Sequence, residues 1–334
     1  MGTVFCFGEL LMRMSPVLNK QWINDHSMPV FIGGAELNVA TALASWNLPS
    51  KYMTALPSNY LSEEIVANIE AKKIDAASIY YTGDRIGVYY LPQGADLKNA
   101  GVIYDRAHSA FASLKPGMID WDEVLKGCSW FHFSAISPAL NEQIALVCKE
   151  GLEAAAKKGL TISIDLNYRA KLWQYGKKPV EIMSELVSYC DVIMGNVWSV
   201  QDLLGIHVDA DIHNNKEKTS YAMHANHQSK LLMDHYPKCK VVAYTFRFTE
   251  GSTVNYFATL HTASQHFVST SFSTDQVVDK VGSGDCFMGG LIYGLYKNNQ
   301  SQEIINYAAA AAFGKLQELG DATNQTVEKI KSTY

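Results

Sequence analysis

The stretch Val277-Val278-Asp279-Lys280-Val281-Gly282-Ser283-Gly284-Asp285-Cys286-Phe287-Met288-Gly289-Gly290 joins a short apolar run to a glycine-rich turn, an aspartate and a helix-patterned segment through Tyr296. In such a turn Gly282 and Gly284 let backbone N–H groups converge, and the helix start adds the positive end of its dipole. This makes a cradle for anionic oxygens with Asp285 at its lip. A carboxylate there repels a resting phosphate. It makes sense as a base that takes a proton from a hydroxyl attacking the phosphate, so the turn points to phosphoryl transfer. Asp285 as the N-cap of an ordinary helix start is a second reading that stays open. A dinucleotide fingerprint fails on spacing, because Phe287 stands where its third glycine belongs. No glycine-lysine-serine/threonine ending of a Walker-type loop occurs in the chain.

The chain has 334 residues, 48% of them hydrophobic, and a formal net charge of −5. Those figures fit one large α/β unit with a sizeable core and no extended disorder. Without a long basic run, nucleic acid is not expected as a partner. Met1–Glu9 reads as a first strand rather than a signal peptide, and no apolar stretch is long enough to span a membrane. The six cysteines are scattered without metal-type spacing, as expected of reduced thiols in a cytoplasmic protein.

Working outward from the turn, strand-like and helix-like stretches alternate. Helical patterns cover Ala35–Trp46, Ser62–Lys73, Asn141–Lys158 (opening on an Asn cap) and Glu181–Tyr189; strand patterns cover Lys51–Leu56, Leu160–Asp165, Asp191–Met194 and Lys240–Thr245. The alternation predicts a mostly parallel sheet with helices on both faces. Ligands bind such sheets at the C-terminal strand ends, where Asp165, Asn196, Thr245 and Asp285 are expected. Two segments break the pattern. Residues 12–32 read as irregular and apolar, and 86–106 as two strand-like runs around Gln93-Gly94-Ala95-Asp96, with Val102, Tyr104 and Arg106 on one face. Together they predict a small projecting sheet that covers a site or pairs with a second subunit. Residues 209–230, which include His213, His224 and His227, read as a solvated loop and helix rather than a metal site.

With Gly33-Gly34-Ala35-Glu36-Leu37-Asn38-Val39-Ala40 near one end and Asp279-Lys280-Val281-Gly282-Ser283-Gly284-Asp285 near the other, the chain resembles the ribokinase-like (PfkB) carbohydrate kinases over nearly its whole length. Within that family it is most similar to the 2-keto-3-deoxygluconate kinases, through Gly8-Glu9-Leu10, Gly87-Val88-Tyr89, Ile103-Tyr104-Asp105-Arg106 and Asp165-Leu166-Asn167-Tyr168-Arg169. The resemblance implies a single kinase domain over 1–334, with lid segments at about 12–32 and 86–106, and a homodimer formed through the lid. It also implies ATP and Mg²⁺ as cofactors, with no protein metal ligand. Asp285 is then the general base, and the backbone of Gly282, Ser283 and Gly284 is the anion hole.

For the sugar acid, the resemblance implies Gly34, Asn38, Tyr89, Tyr104, Arg106, Ile136 and Arg169. The chemistry agrees, since the planar donors of Arg106 and Arg169 suit a carboxylate that a neutral sugar lacks. Plainer readings remain: Arg106 paired with Asp105 or a neighbour, Arg169 with Asp165, Asn38 as a capping or packing residue, and the tyrosines as lid core. For the nucleotide, the resemblance implies Asn196, Thr245, Arg247 and Asn324, with adenine near Ala308–Ala312. Asp279 either helps through water or fixes the turn.

The chain departs from the family pattern at three places. Lys280 replaces a usual threonine and either adds charge near the phosphates or points outward. Asn196-Val197-Trp198-Ser199 lacks the glutamate of the Asn-x-x-Glu element, which puts the metal network in question. Phe246-Arg247-Phe248-Thr249-Glu250-Gly251 stands where a glycine-rich nucleotide loop is expected. The leading expectation is an ATP-dependent 2-keto-3-deoxygluconate kinase. A neutral-sugar kinase such as a fructokinase, a catalytically silent sugar-acid-binding protein and a dinucleotide-dependent oxidoreductase are the alternatives.

Overall fold

Val4 and Cys6 face one core while Phe5 and Phe7, alternating with them on strand Thr3–Phe7, face another. A strand buried on both sides reads as a continuous apolar run, because neighbouring side chains point to opposite faces. In a computed structural model of the chain, which describes residues 2–17, 22–93, 101–209, 212 and 217–334, this strand lies inside a ten-stranded sheet. Parallel pairing carries the sheet from Val241–Glu250 through Val192–Gly195, Thr161–Asp165, Cys128–Ser134, Thr3–Phe7 and Ser50–Met53 to Ile74–Asp75. An antiparallel edge of Thr253–His261, His266–Val268 and Phe272–Thr274 completes it. Residues of helices Ala35–Ser45, Ser283–Tyr296 and Ser301–Lys315 fill one core; those of Glu142–Lys157, Pro179–Val187, Val197–Leu204 and Lys218–His235 fill the other.

The expected helices form within a few residues of their patterns, and Asn141 caps its helix by accepting the Ile144 N–H at 2.9 Å. Three expectations change. Residues 12–32 are not irregular throughout: Leu11–Met14 and Val30–Gly33 pair, and join Gly87–Tyr90 and Ile103–Asp105 in a separate four-stranded sheet. Lys51–Leu56 is two strands; Ser50–Met53 stays in the main sheet, and Ala55–Leu56 leaves it to pair with Tyr80–Tyr81. The strand expected to end at Thr245 runs on to Glu250 as a hairpin with Thr253–His261. Phe246 and Phe248 explain the extension, since their rings lie on one face against Phe257 and Tyr221 and keep the backbone extended. Most of the turn at Gln93-Gly94-Ala95-Asp96, and His213, lie outside the described residues.

In the small sheet, Val102 and Arg106 are buried and Tyr104 is half-buried, while Ile103 and Asp105 are exposed, so the expected face does turn inward. Tyr89 and Tyr104 are register partners, with ring centroids 6.4 Å apart.

Candidate active site

A cavity of about 580 Å³ lies between the small sheet and the C-terminal ends of the parallel strands. It is lined by Gly34, Asn38, Tyr89, Tyr104, Arg106, Ile136, Arg169, Asn196, Thr245, Arg247, Gly282, Ser283, Gly284 and Asp285. Among the residues singled out from the sequence, Asn324 is not on that wall. It is exposed, and its backbone N–H donates to the Glu318 carboxylate. Ala308–Ala312 are also off the wall, fully buried in helix Ser301–Lys315.

Gly282, with φ of 78°, is the N-cap of the 14-residue helix Ser283–Tyr296. Asp285 is therefore inside the first turn rather than the cap. Cys286 N–H already bonds Gly282 O at 2.8 Å, so the N–H groups ahead of it are the ones a helix start leaves unpaired. A side chain on Gly282 would collide with the Asp321 carbonyl, so only glycine suits this turn. Gly34 plays a matching part before helix Ala35–Ser45: its φ is 136°, and a Cβ there would meet the Glu9 carbonyl.

Asn38, on the first turns of that helix, donates Nδ2–H to Asp285 Oδ2 at 2.7 Å, while its own Oδ1 is buried without a partner. Burial pushes the Asp285 carboxyl up to about 6, against the opposing pull of the Asn38 hydrogen bond and the Arg169 charge. Glu36, two residues before Asn38 and also buried, is pushed up to about 7 by its burial, and the nearby Asp285 charge adds to the rise. It accepts the Ser134 N–H and hydroxyl at 2.9 and 2.7 Å.

The two arginines differ. Arg106, 5% exposed, gives Nε–H (2.7 Å) and Nη2–H to Glu9 Oε2, while Ser109 Oγ–H donates to Oε1. Its partner is thus Glu9 and not Asp105, which instead accepts from Arg85 at 2.6 Å. Arg169 is half-buried, donates to the neighbouring Tyr168 carbonyl at 3.0 Å, and acts on Asp285 through its charge. The Tyr89 hydroxyl donates to Asp321 Oδ2 at 3.1 Å.

Lys280 lines the cavity, half-buried and with no hydrogen bond or ion pair among the described residues, so it does not point away. Asp279 fixes the turn: Oδ1 accepts the Val281 N–H at 3.0 Å and Oδ2 accepts Arg13 at 2.7 Å. Asn196 caps helix Val197–Leu204, and Ser199 replaces the glutamate by closing a capping box, its hydroxyl accepting the Asn196 N–H at 3.0 Å.

Glu9, Arg13, Glu36, Lys315 and Asp321 were not singled out as site residues from the sequence. Glu9 and Glu36 carried a signal only as members of the quoted family motifs, Gly8-Glu9-Leu10 and Gly33–Ala40. The buried Lys315 ammonium sits behind the turn, where it offsets part of the rise at Asp285.

A poised carboxylate, an anion cradle and an oxygen-rich pocket in one cavity can move a proton and stabilise a phosphoryl group in transit. The sequence profile of the pfkB family carbohydrate kinases matches residues 1–328. The chain belongs to that family. The ribokinase-like α/β fold is accordingly the observed one, and the kinase is similar over its length to several solved or characterised relatives. The crystal structure of 2-dehydro-3-deoxygluconokinase from Thermotoga maritima shares 34% identity with it at a TM-score of 0.89, covering 99% of this chain and 98% of that one. The 2-dehydro-3-deoxygalactonokinase of Haloferax volcanii is 26% identical over 325 residues, 97% of this kinase and 94% of the relative. A fructokinase from Xylella fastidiosa, solved with bound ATP, shares the fold at 19% identity and a TM-score of 0.77, covering 99% and 97% of the two chains.

Proposed function

We propose that this kinase transfers the γ-phosphoryl group of ATP to the terminal hydroxyl of 2-keto-3-deoxygluconate, giving 2-keto-3-deoxy-6-phosphogluconate. The observation that carries the reading is that Arg169 and Arg106 share one cavity with Asp285, so a carboxylate at one end of a short sugar acid and a hydroxyl at the other have partners together. Arg169 meets the substrate carboxylate. Arg106 adds the edge of its guanidinium that Glu9 does not use, and Tyr89 and Tyr104 flank the carbon chain. Asp285 takes the proton of the terminal hydroxyl. The N–H groups at Gly282, Ser283 and Gly284 hold negative charge on the transferring group, a contribution of about 3–4 kcal/mol for each such donor.

ATP supplies the phosphoryl group. The unpaired N–H groups of the helix start, with Lys280, Arg247 and Thr245 on the same wall, fit its phosphates. Mg²⁺ prefers phosphate oxygens and water to all-protein cages, so it would arrive with the nucleotide and offset the phosphate charge. The four-stranded sheet is then a lid on a kinase unit spanning 1–334. Its outer face, with Val30 and Ile103 exposed beside Met12, Met14, Val88 and Tyr90, pairs with the same face of a second copy. The six free thiols suit a reducing cytoplasm.

One observation favours a second reading. Glu9 cancels the charge of Arg106, which makes that end of the pocket tolerable to a neutral sugar such as fructose. An ADP-release assay with ATP, with and without Mg²⁺, across 2-keto-3-deoxygluconate, its galactonate epimer, fructose and ribose decides between them. Turnover confined to the sugar acids supports the acid reading, and preference between the epimers names the substrate. Preference for fructose or ribose replaces it, and binding without turnover in every case points to a silent binding protein.

A further inference from the structure

Arg13 is absent from the cavity wall, yet it is the hub of the charges under the anion-hole turn. It is 2% exposed and lies over the Phe31 ring at 4.2 Å. Its Nε–H donates to Asp321 Oδ1 and its Nη2–H to Asp279 Oδ2, both at 2.7 Å. The second oxygen of each carboxylate is also used: Asp279 Oδ1 accepts the Val281 N–H and Asp321 Oδ2 accepts the Tyr89 hydroxyl. The Asp321 carbonyl abuts Gly282 so closely that no Cβ fits between them. One planar cation thus joins strand Leu11–Met14 of the lid to both segments that shape the turn.

We propose that Arg13 is a positioning residue for phosphoryl transfer, its guanidinium tying the lid strand to Asp279 and Asp321 so that the anion hole and Tyr89 take their working geometry only with the lid docked. The inference rests on the kinase reading but not on which sugar is phosphorylated. Two carboxylates are reached by two different nitrogens of one rigid fork, a span that the single ammonium of lysine cannot reproduce. A loosened lid also admits water to compete with the sugar hydroxyl.

The test is Arg13→Lys, assayed with whichever sugar the wild-type enzyme phosphorylates. Three quantities are read: kcat against each KM, ATP hydrolysed per sugar phosphorylated, and melting temperature. The expected result is a kcat lower by at least about 10-fold, an ATP KM within about 3-fold of wild type, and a raised share of ATP lost to water. Unchanged kcat and coupling in folded protein overturn the proposal, even if the melting temperature falls, because a purely structural ion pair alters only stability. Should Arg13→Lys not fold, Asp279→Asn keeps the shape and weakens the tie, together with the longer 3.3 Å bond that the Gly320 N–H gives the same oxygen, and the same three readouts apply with smaller shifts. Wild-type turnover of a neutral sugar alone defeats the substrate reading and leaves this comparison to be made on that sugar.

Discussion

Asn38 and Asp285, 247 positions apart in the chain, are joined by a single 2.7 Å hydrogen bond between the first turns of two helices. The amide holds the carboxylate at the cavity wall, and burial holds its pKa near 6. A carboxylate so placed is mostly ionised at neutral pH and basic enough to serve as the proposed acceptor of a hydroxyl proton.

Replacing Asp285 by asparagine is expected to lower kcat by at least about 10²-fold with little change in sugar KM. Steady-state kinetics checks this, and near-normal turnover in folded protein removes Asp285 as the base. The wild-type kcat profile should fall on the acid side with an apparent pKa near 6. Stability carries its own sign. The folded pKa lies above the unfolded one, so the native state binds more protons between them, and stability is lost as pH rises through about 6. Asp285→Asn should therefore be more stable than wild type at pH 8, by up to about 3 kcal/mol, and nearly equal to it below pH 4. Urea titrations at the two pH values measure the difference.

Arg169 holds the Asp285 pKa down through its charge, whereas the charge of Arg106 is spent on Glu9. Arg169→Ala should move the acid limb of the rate profile upward, and Arg106→Ala should leave it in place. Equal shifts from both variants would rule out this division of labour.

Arg106→Ala strands the Glu9 carboxylate beside the sugar acid. The expected cost is about 10²-fold in kcat/KM for the acid and far less for a neutral sugar. Adding Glu9→Ala should recover part of the acid activity, because the stranded charge is then gone. The double-mutant cycle reads the coupling directly, and additive losses would argue against a shared role in carboxylate recognition.

Gly282→Ala places a side chain at φ of 78° and against the Asp321 carbonyl. A loss of at least about 2 kcal/mol in unfolding free energy is expected, with a drop in kcat as the turn shifts. Denaturant titration with paired kinetics tests it; a variant as stable and active as wild type would show that the turn tolerates a Cβ.

The sequence alone was enough for the fold class, the helices on either side of the sheet, the small second sheet in outline and the two glycine turns that bracket the site. Those features are local: side-chain period, caps, and glycine where backbones approach. The place of Asp285 in a glycine turn at a helix start was legible in the same way; its role as the base is the proposal that the asparagine variant tests. Only the tertiary structure decided the partner of each charge. Arg106 reads naturally beside Asp105, but neighbours along an extended chain face opposite ways, so Asp105 turns outward to Arg85 and Arg106 inward to Glu9. Arg13 and Asp321, which no quoted motif contains, meet Asp279 from distant segments. The extension past Thr245 likewise rested on contacts of Phe246 and Phe248 with distant rings. Backbone pattern is written in neighbouring residues; charge pairing and ring packing depend on which distant residues the fold brings within a few ångströms.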